Sequence, residues 1–322
     1  MRIGRWLDPA GRVGEGFVID DRVVPFPDGA TVAEVLESGL AAAHALRARA
    51  VSGGSALAAV RLLAPLWPAS IRDFVAFEEH VEGVTASIDG AGGVVPEWYE
   101  APTFYFTNPH TVLGPDEPVA PPVCDRLDFE LELAVVLGGA PDADGRNLTR
   151  EESADRIFGY TIMNDWSARD LQAREMKVRL GPAKGKDFGT SLGPWIVTAD
   201  ELAPRLDADG FLALRAEVFV NDVPIGEDLV SNMGWPFPEL IAYASRNSRV
   251  VAGDVLGSGT VGNGGCLAEL WGRNGGLTPP PLREGDEVRM TIDGIGTLTG
   301  TVGAAVAAPP VAPARSRSRA RH

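Results

Sequence analysis

From Ile71 onward the apolar residues of this chain fall into short alternating runs, parted by Gly, Pro and Asp, with few helical stretches between them. Such period-two alternation marks strands with one face buried. Phe129–Leu137 reads as one strand, and Tyr160–Met163, Trp195–Thr198 and Leu212–Val220 read as others. Near the end, Glu287–Ile292 and Gly296–Val302 flank Asp293-Gly294, a strong hairpin signal. The helices interrupt this pattern. Thr149-Arg-Glu-Glu152 is a capping box for a short helix ending near Phe158, Ser167–Met176 reads as a second helix, and Pro238–Ser245 as a third. An order of this kind excludes a regular βαβ sheet. It predicts a mostly β architecture with short helices (class α+β), a barrel or roll with decorations.

The first part of the chain reads as a small α+β module. Segments at Ile3–Leu7 and Gly16–Val24 suggest a hairpin, and the capping box Thr31-Val-Ala-Glu34 opens a helix that runs to about Ala48. Pro65 and Pro68 mark a boundary, giving a module over 1–68 and a larger β-roll domain over 69–308. Residues 309–322 are rich in Pro, Ser and Arg without apolar periodicity, and read as a disordered basic tail.

A net charge of −15 predicts a surface that repels nucleic acid and anionic membranes. No apolar run reaches the length of about eighteen residues that a membrane span needs. The opening Met-Arg-Ile-Gly-Arg-Trp lacks the apolar stretch of a signal peptide, so a cytoplasmic location is expected. Cys124 and Cys266 are expected to be free thiols there. Only three lysines occur, Lys177, Lys184 and Lys186, in a chain rich in arginine. Lys is a compact donor whose pKa shifts readily on burial, a property Arg lacks.

In Glu130-Leu-Glu132 the strand period puts both carboxylates on one face, with Phe129, Leu131 and Leu133 on the other. Two readings stay open: the solvent face of an edge strand, or a pair of ligands to a cation that offsets their repulsion. Asp165 closes the apolar segment Tyr160-Thr-Ile-Met-Asn-Asp165, where it either caps the next helix or adds a third ligand. Three carboxylates without nearby His or Cys suit hard cations such as Mg²⁺ or Ca²⁺ better than zinc. The glycines of 257–265 read as turn residues, since nothing before them resembles a phosphate-loop strand.

Several ordered blocks resemble the fumarylacetoacetate hydrolase family. They are Leu127-Asp-Phe-Glu-Leu-Glu-Leu-Ala134, Met163-Asn-Asp-Trp-Ser-Ala-Arg-Asp-Leu-Gln172, Lys186-Asp-Phe-Gly-Thr190, Val251-Ala-Gly-Asp-Val-Leu-Gly-Ser-Gly-Thr260 and Asp293-Gly-Ile-Gly-Thr-Leu298. The resemblance spans roughly residues 70–303 and implies a fumarylacetoacetase-type mixed β-roll, a homodimer, and a site for Mg²⁺, with Ca²⁺ or Mn²⁺ as alternatives. It implies that Asp73, Glu130, Glu132 and Asp165 hold the metal, and that His80 acts as general base with Glu269 orienting it. It further implies that Gln172 and Lys186 donate to the substrate oxygen, and that Tyr105 and Thr260 touch the substrate. Two positions depart from the family's pattern: Val75 replaces a tyrosine and Asp89 an arginine, both of which grip a far carboxylate. The expected activity is metal-dependent hydrolysis of a C–C bond in a small β-diketo or acylpyruvate-type acid. The alternatives are decarboxylation, isomerisation or dehydration of a 2-oxo acid, or a non-catalytic binding role.

Overall fold

The protein, seen in a computed structural model, is described over residues 1–51, 53–89, 93–139 and 144–314. Its N-terminal stretch supplies β1 (Arg2–Leu7), β2 (Val13–Ile19), β3 (Arg22–Pro25), α1 (Val32–Arg49), β4 (Ser55–Ala56) and β5 (Arg61–Leu63). Then come β6 (Ile71–Phe74), α2 (Glu78–Asp89), β7 (Phe104–Thr107), β8 (Val112–Leu113), β9 (Leu127–Asp128) and β10 (Leu131–Leu137). The middle of the chain adds α3 (Arg150–Ala154), β11 (Ile157–Asp165), β12 (Ser167–Ala168), α4 (Arg169–Met176), β13 (Thr190–Thr198) and α5 (Ala199–Leu202). The last part holds β14 (Arg215–Val220), β15 (Val223–Leu229), α6 (Phe237–Ser245), β16 (Val255–Gly257), α7 (Leu267–Asn274), β17 (Glu287–Ile292) and β18 (Gly296–Thr301).

Strands dominate, as the alternation predicts. The main sheet has 12 strands, with the path β4-β3-β2-β1-β13-β11-β10-β16-β6-β7, while β5 joins β1 and β8 joins β13. A sheet of four, β15-β14-β17-β18, stands apart from it. The N-terminal strands therefore extend the same sheet as the β-roll: β1 pairs with β13 through Arg2 and Ile3, opposite Val197 and Ile196. Among the described residues no helix is long and apolar enough to cross a membrane.

β10 shows how alternation builds two cores. Leu131, Leu133, Val135 and Leu137 join Val218, Met290 and Leu298 of the four-stranded sheet in one core. Ala134 and Val136 face a second core with Leu36 of α1, Phe158 and Ile196. Each such Leu or Ile, once buried, stabilises the fold by about 2 kcal/mol relative to exposure. Because β10 lies between β11 and β16, the solvent-face reading of Glu130-Leu-Glu132 fails, and Glu132 is fully buried.

Both capping boxes form, at Thr31–Glu34 and at Thr149–Glu152. Several boundaries differ from expectation. The Gly16–Val24 segment holds two strands, β2 and β3, because Asp20 takes positive φ at 52° and turns the chain. The helix expected to reach Phe158 stops at Ala154, since Phe158 is buried in β11. Ser167 and Ala168 pair with β9, which delays α4 to Arg169. The strand expected over Phe129–Leu137 is broken at Phe129 and Glu130 for the same reason: β9 pairs with β12, whereas β10 pairs with β11. At Asp293-Gly294 the hairpin forms with a three-residue turn, Ile292 pairing with Gly296. Both cysteines are free. Residues 309–314 are exposed, and the rest of the expected tail, 315–322, lies outside the described residues.

Candidate metal centre

Neighbouring strand ends bring the acids together. β16 runs parallel to β6 with Gly257 opposite Asp73, and antiparallel to β10 with Gly257 opposite Ala134. One ligand oxygen from each of Asp73, Glu130 and Glu132 lies within 4.8 Å of the other two. Gly257 leaves the room for this. A Cβ there would stand 2.4 Å from Glu132 Oε2 and 3.0 Å from Asp73 Oδ1.

The cluster is almost dry, with Asp73 3%, Glu130 4% and Glu132 0% exposed. Burial, and then neighbouring carboxylates, push Asp73 and Glu132 well above the usual carboxylate range. Glu130 differs: burial works to raise it, but the Lys186 ammonium and Arg169 guanidinium outweigh that and hold it well below the usual range. So many acids withdrawn from water call for protons or a cation. Asp73 Oδ1, Glu132 Oε1 and Asp165 Oδ1 are buried without a hydrogen-bond partner. Unpartnered carboxylate oxygens with no soft donor among them fit a hard divalent cation.

Asp165, at the end of β11, lies beside the triad rather than in it. Its Oδ2 accepts a hydrogen bond from Lys186 Nζ at 2.8 Å and another from the Tyr105 hydroxyl. Lys186 is also paired closely with Glu130 Oε2. Its burial opposes the charge, but Asp165 and Glu130 hold the ammonium above its ordinary pKa. Of the three lysines it alone is buried, while Lys177 and Lys184 are exposed. Tyr105 stands opposite Asp73 in the β6–β7 pair. Burial and the Asp165 carboxylate raise its phenol well above the ordinary value, so it stays a donor.

His80 lies at the start of α2, just after β6, and is buried. Burial first, then the Arg169 and Lys186 charges against the opposing pull of Glu130, bring its imidazole down to about 4. It is neutral at neutral pH. Its expected partner is elsewhere: His80 Nδ1 faces Cys266 Sγ at 3.6 Å. Glu269 is fully buried, and its Oε1 takes the Gly264 N–H at 3.1 Å and the Arg273 guanidinium at 2.6 Å. Cys266 begins α7 and receives the Glu269 N–H on its sulfur, so the thiol rather than the carboxylate sits at the imidazole. Arg273, one turn along α7, draws the carboxylate to itself. Burial raises the Glu269 carboxyl to about 7.

Gln172 is half-buried on α4, and its Oε1 accepts from Arg169 at 3.1 Å. Thr260 is buried in the loop after β16, one residue beyond Gly259, whose N–H donates to Glu132 Oε2 at 3.0 Å. Val75 is half-buried, and its carbonyl accepts the Trp98 indole N–H at 2.7 Å. The side chain of Asp89 lies outside the described residues.

Two participants escaped the sequence reading. Arg169 places one nitrogen 2.8 Å from Glu130 Oε1 and donates from Nε to Asp128 Oδ2 at 2.8 Å. Asp128 in turn accepts the N–H groups of Leu267 and Ala268, at 2.8 and 3.0 Å, and so caps α7. One buried network thus joins Glu130 to the helix that carries Cys266 and Glu269. Its signal was present, because Asp128 stands two residues before Glu130 in the same alternation.

Residues 69–303 match the family model described as fumarylacetoacetate (FAA) hydrolase, C-terminal. A fumarylacetoacetase of Arabidopsis thaliana is 32% identical over 312 residues, covering 78% of this chain and 72% of that one. An oxaloacetate tautomerase of Bacillus subtilis is 35% identical over 207 residues, covering 63% of this chain and 62% of that one. Among solved structures, a fumarylacetoacetate hydrolase from psychrophilic Exiguobacterium antarcticum superposes with a TM-score of 0.69 at 25% identity, covering 94% of this chain and 99% of that one. With its β-roll, its buried acids and a match over most of its length, this chain belongs to the fumarylacetoacetate hydrolase family.

Proposed function

We propose that this chain is a divalent-metal-dependent hydrolase that cleaves a carbon–carbon bond in a β-diketo or acylpyruvate-type acid, with Mg²⁺ as the expected ion. The observation that carries the reading is the buried triad Asp73, Glu130 and Glu132, with unpartnered oxygens on Asp73 and Glu132, set beside a buried ammonium and a neutral imidazole. Asp73, Glu130 and Glu132 would hold the cation, with Asp165 next to them. When bound, such an ion supplies Lewis-acid polarisation of a dicarbonyl's oxygens.

The remaining steps belong to the side chains. Neutral His80 accepts a proton from water as the water oxygen adds to the substrate's carbonyl carbon. In the tautomer whose Nδ1–H donates to Cys266 Sγ, Nε2 carries the free lone pair that takes this proton. Lys186 has three N–H donors, of which two serve Glu130 and Asp165, leaving one for the oxygen that becomes negative. A donor of this kind contributes about 3 kcal/mol. The Gln172 amide, whose oxygen is held by Arg169, keeps its N–H groups free to donate. When the C–C bond breaks, its electron pair passes to the 2-oxo acid fragment as an enolate, which then takes a proton.

A second reading, proton transfer or decarboxylation of a 2-oxo acid, draws on the 35% identity to the oxaloacetate tautomerase. The test is a panel of acylpyruvates and 2-oxo diacids, assayed by product with and without EDTA in wild type, His80→Ala and Glu132→Ala. Acylpyruvate hydrolysis lost on chelation and in both variants supports the hydrolase. Full hydrolysis by His80→Ala would sink it. Keto–enol exchange or CO₂ release that survives loss of His80 but not of Glu132 favours the second reading.

A further inference from the structure

A cavity of about 310 Å³ opens between α3, the first half of β11, α5 and the start of α6. Its walls are mostly apolar, supplied by Ala154, Ile157, Ala199, Leu206, Leu212 and Pro238. The loop on one side is closed on itself: Leu206 bridges to Leu212, and the Asp207 N–H donates to the Phe211 carbonyl at 2.9 Å. That wall is therefore formed without a ligand. One polar group stands in the apolar lining. Tyr160 is 4% exposed, and its hydroxyl has no hydrogen-bond partner among the described residues. Burial alone raises its phenol above the ordinary value, with no contribution from a charge or a hydrogen bond. The hydroxyl is not one of the unpartnered oxygens sealed from solvent, so the surface it keeps lies on the cavity that Tyr160 lines. A phenol so nearly buried usually finds a partner, and this one faces a hollow instead.

We infer that this cavity is a second ligand site, apart from the metal centre, for a compact neutral molecule with an apolar body and one hydrogen-bond acceptor such as a ketone oxygen. The acceptor takes the Tyr160 O–H, and the apolar walls take the body, the usual division of labour in a small-molecule site. The volume stands at the lower end of the range for such sites and suits a molecule of about ten non-hydrogen atoms. Charge decides against an acid. Arg150, the cation among the lining residues, donates to the Asp209 carbonyl, and its Nε lies 3.8 Å from Glu239. Glu151 adds a carboxylate of its own to the lining. A carboxylic acid would thus meet a like charge beside a cation already engaged. The site is also remote from the acids. Tyr160 lies five positions before Asp165 in β11, roughly 17 Å along the strand.

The experiment titrates the full chain with three probes by ligand-observed NMR, in Mg²⁺ and again in EDTA. Acetophenone carries the acceptor, α-methylstyrene has the same shape with a methylene in place of the oxygen, and benzoate adds the charge. Acetophenone and α-methylstyrene are expected to bind equally well in Mg²⁺ and in EDTA, and benzoate more weakly than acetophenone. In Tyr160→Phe, which removes only the hydroxyl, the affinity for acetophenone falls about fivefold while that for α-methylstyrene is kept. Ala154 is exposed at the end of α3, so Ala154→Phe fills the mouth without disturbing the core and abolishes binding of both. Absence of binding by either neutral probe overturns the inference, as does binding that disappears on chelation, which would place the probes at the metal centre. So does benzoate binding as tightly as acetophenone, an acetophenone-to-α-methylstyrene ratio unchanged in Tyr160→Phe, or full binding in Ala154→Phe.

Discussion

Gly257 and Glu132 fit as a space and a group that fills it: a Cβ on Gly257 would lie 2.4 Å from Glu132 Oε2, and 2.2 Å from the Met163 methyl beside it. The same carboxylate oxygen is anchored by the Gly259 N–H at 3.0 Å, so it has little freedom to withdraw. Strand pairing sets the approach, because β16 is clamped between β10 and β6.

Gly257→Ala is therefore expected to displace Glu132 and Asp73 and to weaken metal binding about 10- to 100-fold, the range seen when groups supporting metal ligands are altered. Metal titration by calorimetry measures it. An unchanged affinity would show that the acids tolerate the added methyl group.

Metal uptake should release protons. Burial and like charges hold the Asp73 and Glu132 carboxyls well above the usual range, and a cation needs them ionised. Titration of Mg²⁺ or Mn²⁺ at pH 6, in buffers of different ionisation enthalpy, should show release on the order of one proton per ion. Chelation should correspondingly lower the melting temperature, and re-addition of the ion should restore it.

His80 predicts a pH dependence of stability. Folded, it sits near 4, against an ordinary 6.5, because burial disfavours the imidazolium. Between those values the unfolded chain binds a proton that the native chain does not. Stability from this group is thus present above pH 6.5 and is lost as pH falls through 4, by up to about 3 kcal/mol. Glu269, raised to about 7 by burial, acts in the opposite sense, losing its contribution as pH rises through that value. The readout is therefore the difference between wild type and His80→Gln in denaturant unfolding at acid and neutral pH. Wild type should lose more on acidification than the variant.

Arg169→Met should be among the most damaging changes outside the triad. It strips a partner from both Asp128 and Glu130, leaving buried carboxylates uncompensated at a cost of about 3–5 kcal/mol. The loss also loosens the cap on α7, so the Cys266–His80 contact should weaken with it. Urea unfolding and the ring NMR shifts of His80 test the two effects separately.

Features governed by neighbours in the chain were readable before the fold. The capping boxes at Thr31 and Thr149 form because donor and acceptor sit three residues apart and close within one helical turn. The alternation of Leu131, Leu133 and Val135 fixes which side chains share a face of β10. Boundaries fared worse wherever pairing overrode local preference, as at Ser167 and Ala168, where β9 captured residues that alone suit a helix. The acids of the site were identified by their order within several blocks, since Glu130-Leu-Glu132 by itself suited an exposed strand equally well.

By itself the sequence determined a mostly β chain, the family, and which acidic, basic and imidazole side chains to watch. Only the tertiary structure decided their partners. Lys186 meets Glu130 across 56 positions of sequence, and His80 meets Cys266 across 186. No local periodicity encodes distances of that kind. Which oxygens stay unpartnered, which carboxylate Arg273 claims, and how dry Asp73 becomes all follow from where strands β6, β10, β11 and β16 finally lie. Desolvation and Coulomb forces depend on that placement, and they set the charge of each group.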